Sequence, residues 1–241
     1  MEMLFVIILI VVIYMIANSG QHGGQATTEH KANTNNSQYK SQHSGQVITD
    51  YKYVEREYVG RVGEEITKAI VSKIKECEYI LTNLYIPTVK GETTEIDLVA
   101  FTNRGLLVLE TKNYSGTIYG DENSDKWFAS VYNQNNYFYN PLKQNTTHIK
   151  YLDKAVALNI PIYSIIVFSN RCSLEHLPNS FNDVYICQMS TLRNTIKEIF
   201  DENPACVPSL VLSTVHNRLE KFARSSTEVI RKHKEYVSNK Y

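Results

Sequence analysis

The sequence predicts an α/β domain whose elements run helix, three strands, helix, strand, with one more strand and further helices after them. Three observations predict it: an amphipathic repeat from Val62 to Ile74, three β-branched and aromatic runs between Tyr79 and Asn113, and a second helical segment followed at once by the apolar run Pro161 to Phe168. A chain of 241 residues buries one good-sized core, so a single globular domain with tails is expected.

In "VEREYVGRVGEEITKAIVSKIKE" the apolar Val62, Ile66, Ala69, Ile70 and Ile74 recur at helical spacing, predicting a helix to about Glu76. "YILTNLYIP" reads as a strand stopped by Pro87, "TEIDLVAF" as a second and "GLLVLETKN" as a third. Thr102, Asn103, Arg104 and Gly105 make a tight hairpin between the last two. A helix from about Leu142 to Leu158, the strand "PIYSIIVF", the short strand "DVYIC", a helix near Thr191 to Phe200 and a helix after Pro208 complete the order. Trp127, Phe128, Tyr132, Tyr137, Phe138 and Tyr139 lie between the third strand and the next helix, and such density predicts packing under a long loop rather than a base-stacking platform.

Ahead of the domain, Met3 to Ala17 is almost wholly apolar, enough at about 1.5 Å per helical residue to approach the lower limit for crossing a bilayer. Only Glu2 is charged before this run, and the first lysines, Lys31 and Lys40, come after it. That pattern lacks the positive start of a secretory signal and predicts an uncleaved anchor, residues 1–17, with the following chain cytoplasmic. A cleaved signal, and with it a secreted protein, is the competing reading. Residues 18–50 are too polar to offset the entropy of ordering and read as a disordered tether, in which His22, His30 and His43 have no assigned role. The domain is expected over residues 51–170, with a strand and helical extension over 171–241.

Formal charge is zero, so any nucleic-acid surface must be local. The C-terminal surplus of Arg218, Lys221, Arg224, Arg231, Lys232 and Lys234 reads as a solvated helix face. Cys77, Cys172, Cys187 and Cys206 show no CxxC spacing, so neither a zinc site nor a disulfide framework is indicated, and free buried thiols are expected.

Strand periodicity points to chemistry in the third strand. Glu110 and Lys112, two residues apart, share a sheet face. If the hairpin closes through a two-residue loop at Asn103 and Arg104, Asp97 lies across from Glu110; a three-residue loop would turn it to the other face. The strands are apolar on both faces, as in a covered sheet, so these charges need compensation. Two readings are open: an ion pair at the solvent end of the sheet, or a divalent cation held by two carboxylates, for which Mg²⁺ with its hard oxygen ligands is suited.

The motifs "GRVGEEI", "TEIDLVAFTNRGLLVLETKNYSGTIYG", Trp127 and "NPLKQN" together resemble the nuclease-related domain (NERD) family, a branch of the PD-(D/E)xK restriction-endonuclease-like superfamily, over roughly Tyr58 to Phe168. The resemblance implies an αβββαβ core with a mixed sheet flanked by helices. It implies a nuclease acting on DNA, with Glu64 rather than Glu65 as the helical acid, Asp97 as the acid of the second strand, Glu110 and Lys112 as the ExK pair and Gln144 at the rim. Asp97, Glu110, the Thr111 carbonyl and Glu64 would hold Mg²⁺ or Mn²⁺. No proline precedes the aspartate, a departure from the wider superfamily that this branch shares. The alternative is a catalytically silent nuclease-derived module at the membrane that binds nucleic acid or protein.

Overall fold

The computed structural model describes residues 57–178 and 180–240. The apolar run and the polar tether expected over residues 1–50 lie outside the described residues; among those described, no helix is long and apolar enough to cross a membrane.

Helix α1 spans residues 57–71. Strands β1 (Cys77–Pro87), β2 (Thr93–Thr102) and β3 (Gly105–Lys112) follow, then β4 (Gly116–Tyr119), β5 (Lys126–Val131) and β6 (Gln134–Tyr139). Helix α2 (Pro141–Val156) leads into β7 (Ile162–Phe168), β8 (Cys172–Ser173) and β9 (Val184–Gln188), and the chain continues as α3 (Leu192–Glu202), α4 (Ser209–Ala223) and α5 (Thr227–Lys240). The helix expected after Pro208 is therefore two. The break falls at residues 224–226, where the Ser226 hydroxyl accepts from the Val229 N–H and starts the new helix.

The main sheet has the order β1-β2-β3-β7-β9, antiparallel through β3 and parallel beyond it. On one face Val99, Phe101, Leu106 and Val108 pack with Leu152 and Val156 of α2 and Leu212, Val215 and Leu219 of α4. On the other, Leu98, Leu107 and Leu109 pack with Val71 of α1 and Leu192, Ile196 and Ile199 of α3. A strand covered on both sides cannot alternate polar and apolar, which is why β3 reads as a continuous apolar run until Glu110. The expected mixed sheet flanked by helices is what the chain forms.

Two readings need correction. The stripe that α1 buries runs through Gly63, Thr67 and Val71, while Ile66 is 44% exposed. The cause is steric: a Cβ built on Gly63 would lie 2.8 Å from the Asn113 Cβ, so the helix lies too close to the end of β3 for a bulky residue in the contact. The long loop after β3 is instead a second sheet, order β6-β5-β4-β8. Of its aromatics, Trp127 and Phe138 are core, packed with Ile118, Ile166 and Phe168, whereas Tyr132 and Tyr137 are exposed. Its hairpin turns at Tyr132 and Asn133, both with positive φ (48° and 61°), as a two-residue turn of this hand requires.

The β2–β3 hairpin closes through the two-residue loop Asn103–Arg104, with Thr102 opposite Gly105 and the register held to Leu98 opposite Leu109. Gly105 has φ of 136°, and a Cβ there would lie 2.3 Å from the Pro161 carbonyl oxygen. Gly105→Ala is therefore expected to destabilise the domain by roughly 2 kcal/mol or more, read as a lower urea midpoint at unchanged slope.

Candidate active site at the end of strand β3

The site begins where two strands part. The β2–β3 ladder ends at Leu98 and Leu109, while β2 stays paired to β1 as far as Thr93, opposite Pro87. In β1 and β2 the facing pair Asn83 and Asp97 is skipped in the register, and Asn83 has φ of 54°. The alternation slips there: Leu81 and Val99 before the skip, and Leu84 and Ile96 beyond it, all pack in the α2/α4 cluster although their numbers differ in parity. The N-terminal half of β2 thus leans away from β3 and forms one wall of a cleft of about 450 Å³, with Thr94, Glu95, Asp97, Lys112, Gln144 and His148 among its lining.

Glu110 lies 2% exposed at the bottom of this region. Lys112 Nζ donates to its Oε1 at 2.8 Å, and His148 Nε2 lies 3.1 Å from its Oε2. A carboxylate only accepts, so His148 is the donor there, and its Nδ1 meets the Thr94 hydroxyl at 2.6 Å. Burial pushes the Glu110 carboxyl up, but Lys112 and the His148 hydrogen bond outweigh it and hold the group down at about 2. Burial likewise works against the charge on Lys112, and Glu110, with Tyr114 and Asp97, more than offsets it, so its ammonium is held above its ordinary value. Lys112 is thus a fixed cation rather than a proton acceptor. Its second contact is with Gln144 Oε1, at 2.9 Å.

Asp97 bridges the parted strands, its Oδ2 accepting from the Thr111 backbone N–H at 2.8 Å. Burial first, then the nearby charges of Glu110 and Glu64, raise its carboxyl well above the usual range despite that hydrogen bond and Lys112. Glu64 is raised to about 7 by burial, then by Glu95 and Glu110. It faces inward from α1 while Glu65 is exposed, an orientation set by the close Gly63 to Asn113 approach and the Thr111 to Thr67 hydroxyl hydrogen bond of 3.2 Å. On the other side α2 is started by Asn140, whose side chain accepts from the Leu142 N–H, with Pro141 at the first turn. It is clamped by Asn145, which donates to the Val108 carbonyl and to Ser164 Oγ.

The five residues proposed from sequence therefore come together, and His148 joins them unannounced. Its signal was present: His148 follows Gln144 at i, i+4, on the same helix face. Glu95 and His233 were also missed. Helix α5 forms another wall of the cleft, where His233 is 8% exposed, its Nδ1 lying 3.0 Å from the Thr93 carbonyl oxygen and its Nε2 3.5 Å from Glu95. The Tyr85 hydroxyl donates to the same Glu95. Of the basic C-terminal set expected on a solvated face, Arg224, Arg231, Lys232 and Lys234 each pair with a glutamate on the surface, whereas Arg218 is half-buried and donates to the Val156 carbonyl at the end of α2. Cys172 and Cys187 are buried free thiols as expected, but Cys206 is exposed.

The donor set fits a hard divalent cation. Glu110 and Glu64 raise the proton affinity of Asp97, and Glu95 and Glu110 raise that of Glu64, so carboxyl oxygens crowd a region whose one ammonium is already paired to Glu110. Among the described residues no three acidic, histidine or cysteine side chains converge closely enough to form a preassembled cage. Mg²⁺ needs none, since one or two carboxylates with substrate phosphate and water suffice.

The order helix, three strands, helix, strand, with a mixed sheet between helices, is the core that the PD-(D/E)xK resemblance implies. Residues 59–169 match the family model described as nuclease-related domain. The uncharacterized protein pXO1-01 of Bacillus anthracis is 27% identical over 183 residues, covering 76% of this chain and 85% of its own. A structural comparison with the small subunit of the heterodimeric restriction endonuclease R.BspD6I covers 80% of this chain and 98% of that one, at 10% identity and a TM-score of 0.29, too distant to bear on function.

Burial lowers the pKa of His233 against the opposing pull of Glu95 and the Thr93 carbonyl, with His148 adding to the depression. A histidine depressed in the folded state binds fewer protons there than when released. Its contribution is complete above its ordinary value of 6.5 and is lost as pH falls from there through the folded value. Amide exchange in α5 is expected to speed up as pH drops below 6.5, after correction for intrinsic rates, and His233→Gln should flatten that dependence.

Proposed function

We propose that this protein is a membrane-anchored, metal-dependent nuclease that hydrolyses phosphodiester bonds in DNA. The observation that carries the reading is the Lys112 ammonium held between Glu110 and Gln144, with Asp97 bonded to the neighbouring Thr111 N–H. A surface ion pair would need none of this, and the Glu110–Lys112 pair is not at the surface, its side chains being 2% and 14% exposed.

Asp97, Glu110 and the Thr111 carbonyl, with Glu64, would hold Mg²⁺ or Mn²⁺. When bound, the cation supplies charge neutralisation at the scissile phosphate and a more acidic water. Lys112, held cationic, offsets charge developing on the phosphoryl oxygens, and Gln144 keeps its Nζ aimed into the cleft. His148 keeps Glu110 deprotonated and fixes which of its oxygens faces Lys112. The membrane anchor is supported by the apolar run at residues 3–17, and the lysines that follow it favour a cytoplasmic domain by the positive-inside rule.

A silent binding module is favoured by one observation: both oxygens of Glu110 are already engaged. Cleavage by the full chain separates the two. With supercoiled, linear and single-stranded DNA, cleavage is expected to require Mg²⁺ or Mn²⁺ and to vanish in EDTA. Activity that persists in EDTA would refute the metal-dependent reading, and binding without cleavage at any metal concentration would establish the module instead. Glu110→Gln, which keeps the volume and removes the charge, and Lys112→Ala should each lower kcat by about 10²-fold or more with the fold retained by circular dichroism. Wild-type rates in Lys112→Ala would remove it from the mechanism.

A further inference from the structure

A second cleft, of about 440 Å³, opens on the far side of Lys112, and its lining includes Lys112, Asn113, Tyr114, Asn136, Tyr137 and Arg171. Lys112 and Tyr114 line both clefts, so the two openings adjoin at the end of β3. Two features of this second cleft are not explained by the fold. Tyr137 is 61% exposed on β6, an edge strand of the second sheet. Arg171 is exposed, and its Nη2 is held only by neutral acceptors, Asn113 Oδ1 at 3.0 Å and the Asn113 carbonyl at 3.3 Å; among the described residues no carboxylate forms an ion pair with it.

Tyr137 also ends a row of rings that crosses the outer face of the second sheet. His176 and Tyr119 stack at 4.8 Å, Tyr119 and Phe128 at 4.9 Å, and Phe128 and Tyr137 meet at 5.4 Å. Cross-strand packing accounts for the inner members, each partly covered by its neighbours. It does not account for leaving the last ring open on a strand that borders the same cleft as Arg171 and Lys112. An aromatic ring next to a fixed cation is the pairing that takes a base and its phosphate together.

We propose that this cleft is a binding site for unpaired DNA nucleotides next to the scissile bond, with Tyr137 extending its ring row onto a base and Arg171 contacting a backbone phosphate. The inference rests on the nuclease reading and deepens it by naming the substrate: DNA with a single-stranded stretch at the cut. Inside a duplex both faces of every base are already stacked, so Tyr137 selects bases that have come free. The phosphate between the two clefts then lies against Lys112.

Binding without cleavage tests this independently of the nuclease assignment. The full chain in EDTA is titrated into a single-stranded oligonucleotide carrying 2-aminopurine, with a blunt duplex and a single-stranded RNA of the same sequence as further arms. Tyr137→Ala is expected to weaken single-stranded DNA binding about tenfold and abolish the fluorescence change, with Tyr137→Phe restoring both, while the blunt duplex binds Tyr137→Ala as it binds wild type. Arg171→Ala should lower the salt slope of single-strand binding by about one. Wild-type affinity in Tyr137→Ala would overturn the proposal and leave the ring row as a face for protein contact; tighter binding of RNA than of DNA would overturn the choice of DNA. Loss of metal-dependent cleavage in every assay would sink the nuclease reading while leaving this binding result to stand or fall by itself.

Discussion

Lys112 and Glu110 meet at 2.8 Å in a part of the protein where neither charge would be stable alone. Their surroundings follow from that contact. The carboxylate needs a second donor for its other oxygen, which His148 supplies, and the ammonium needs a second acceptor, which Gln144 supplies. Both partners come from one helix, one turn apart, so α2 must start and seat in register with the end of β3. Asn140 and Pro141 set the start, and Asn145, between the two partners, pins the helix to the strands beneath. The pair thus dictates the placement of an element far from it in sequence.

The remaining carboxylates stand apart because the backbone does. Asp97 belongs to a stretch of β2 that has left the ladder, and its carboxyl occupies the hydrogen bond that a neighbouring strand would otherwise make to Thr111. Glu64 reaches the same region from the opposite layer, and only a glycine at position 63 lets α1 come near enough. Negative charge gathers from three elements around one fixed cation. That arrangement suits a site completed by a divalent ion and a phosphate.

Much of this was legible. A hairpin with a two-residue loop has one register, so placing Asn103 and Arg104 in the loop placed Asp97 near Glu110, and period two placed Lys112 beside Glu110. Gln144 was legible through family likeness rather than through any physical signal of its own. What was not legible depends on distances along the chain or on sterics. Glu95 meets His233 across most of the domain, and no local pattern announces it. Ile66 fits a helical repeat, but α1 turns the face carrying Gly63 toward Asn113 and leaves Ile66 exposed. The second sheet was hidden because β6 opens on three polar residues and is exposed over its first four, its one buried side chain being Phe138. The outward face of that sheet reads as loop, although Tyr132 and Asn133 form a recognisable turn.

The parting of β2 from β3 leaves the cleft with unequal jaws. The side made by β3 and α2 is tied down through ladder bonds to β7, the Asn145 clamp and a close-packed apolar layer. The opposite side, from Thr93 to Asp97, is laddered to β1 alone. That arm is tethered instead by side chains, Thr94 to His148, Glu95 to His233 and Asp97 to the Thr111 N–H, so its place in the cleft is set by polar contacts where the other jaw is set by strand pairing. Through His148, which bonds both Thr94 and Glu110, the side-chain-tethered jaw is wired to the partner of the lysine, so the two halves of the cleft share one hinge pin.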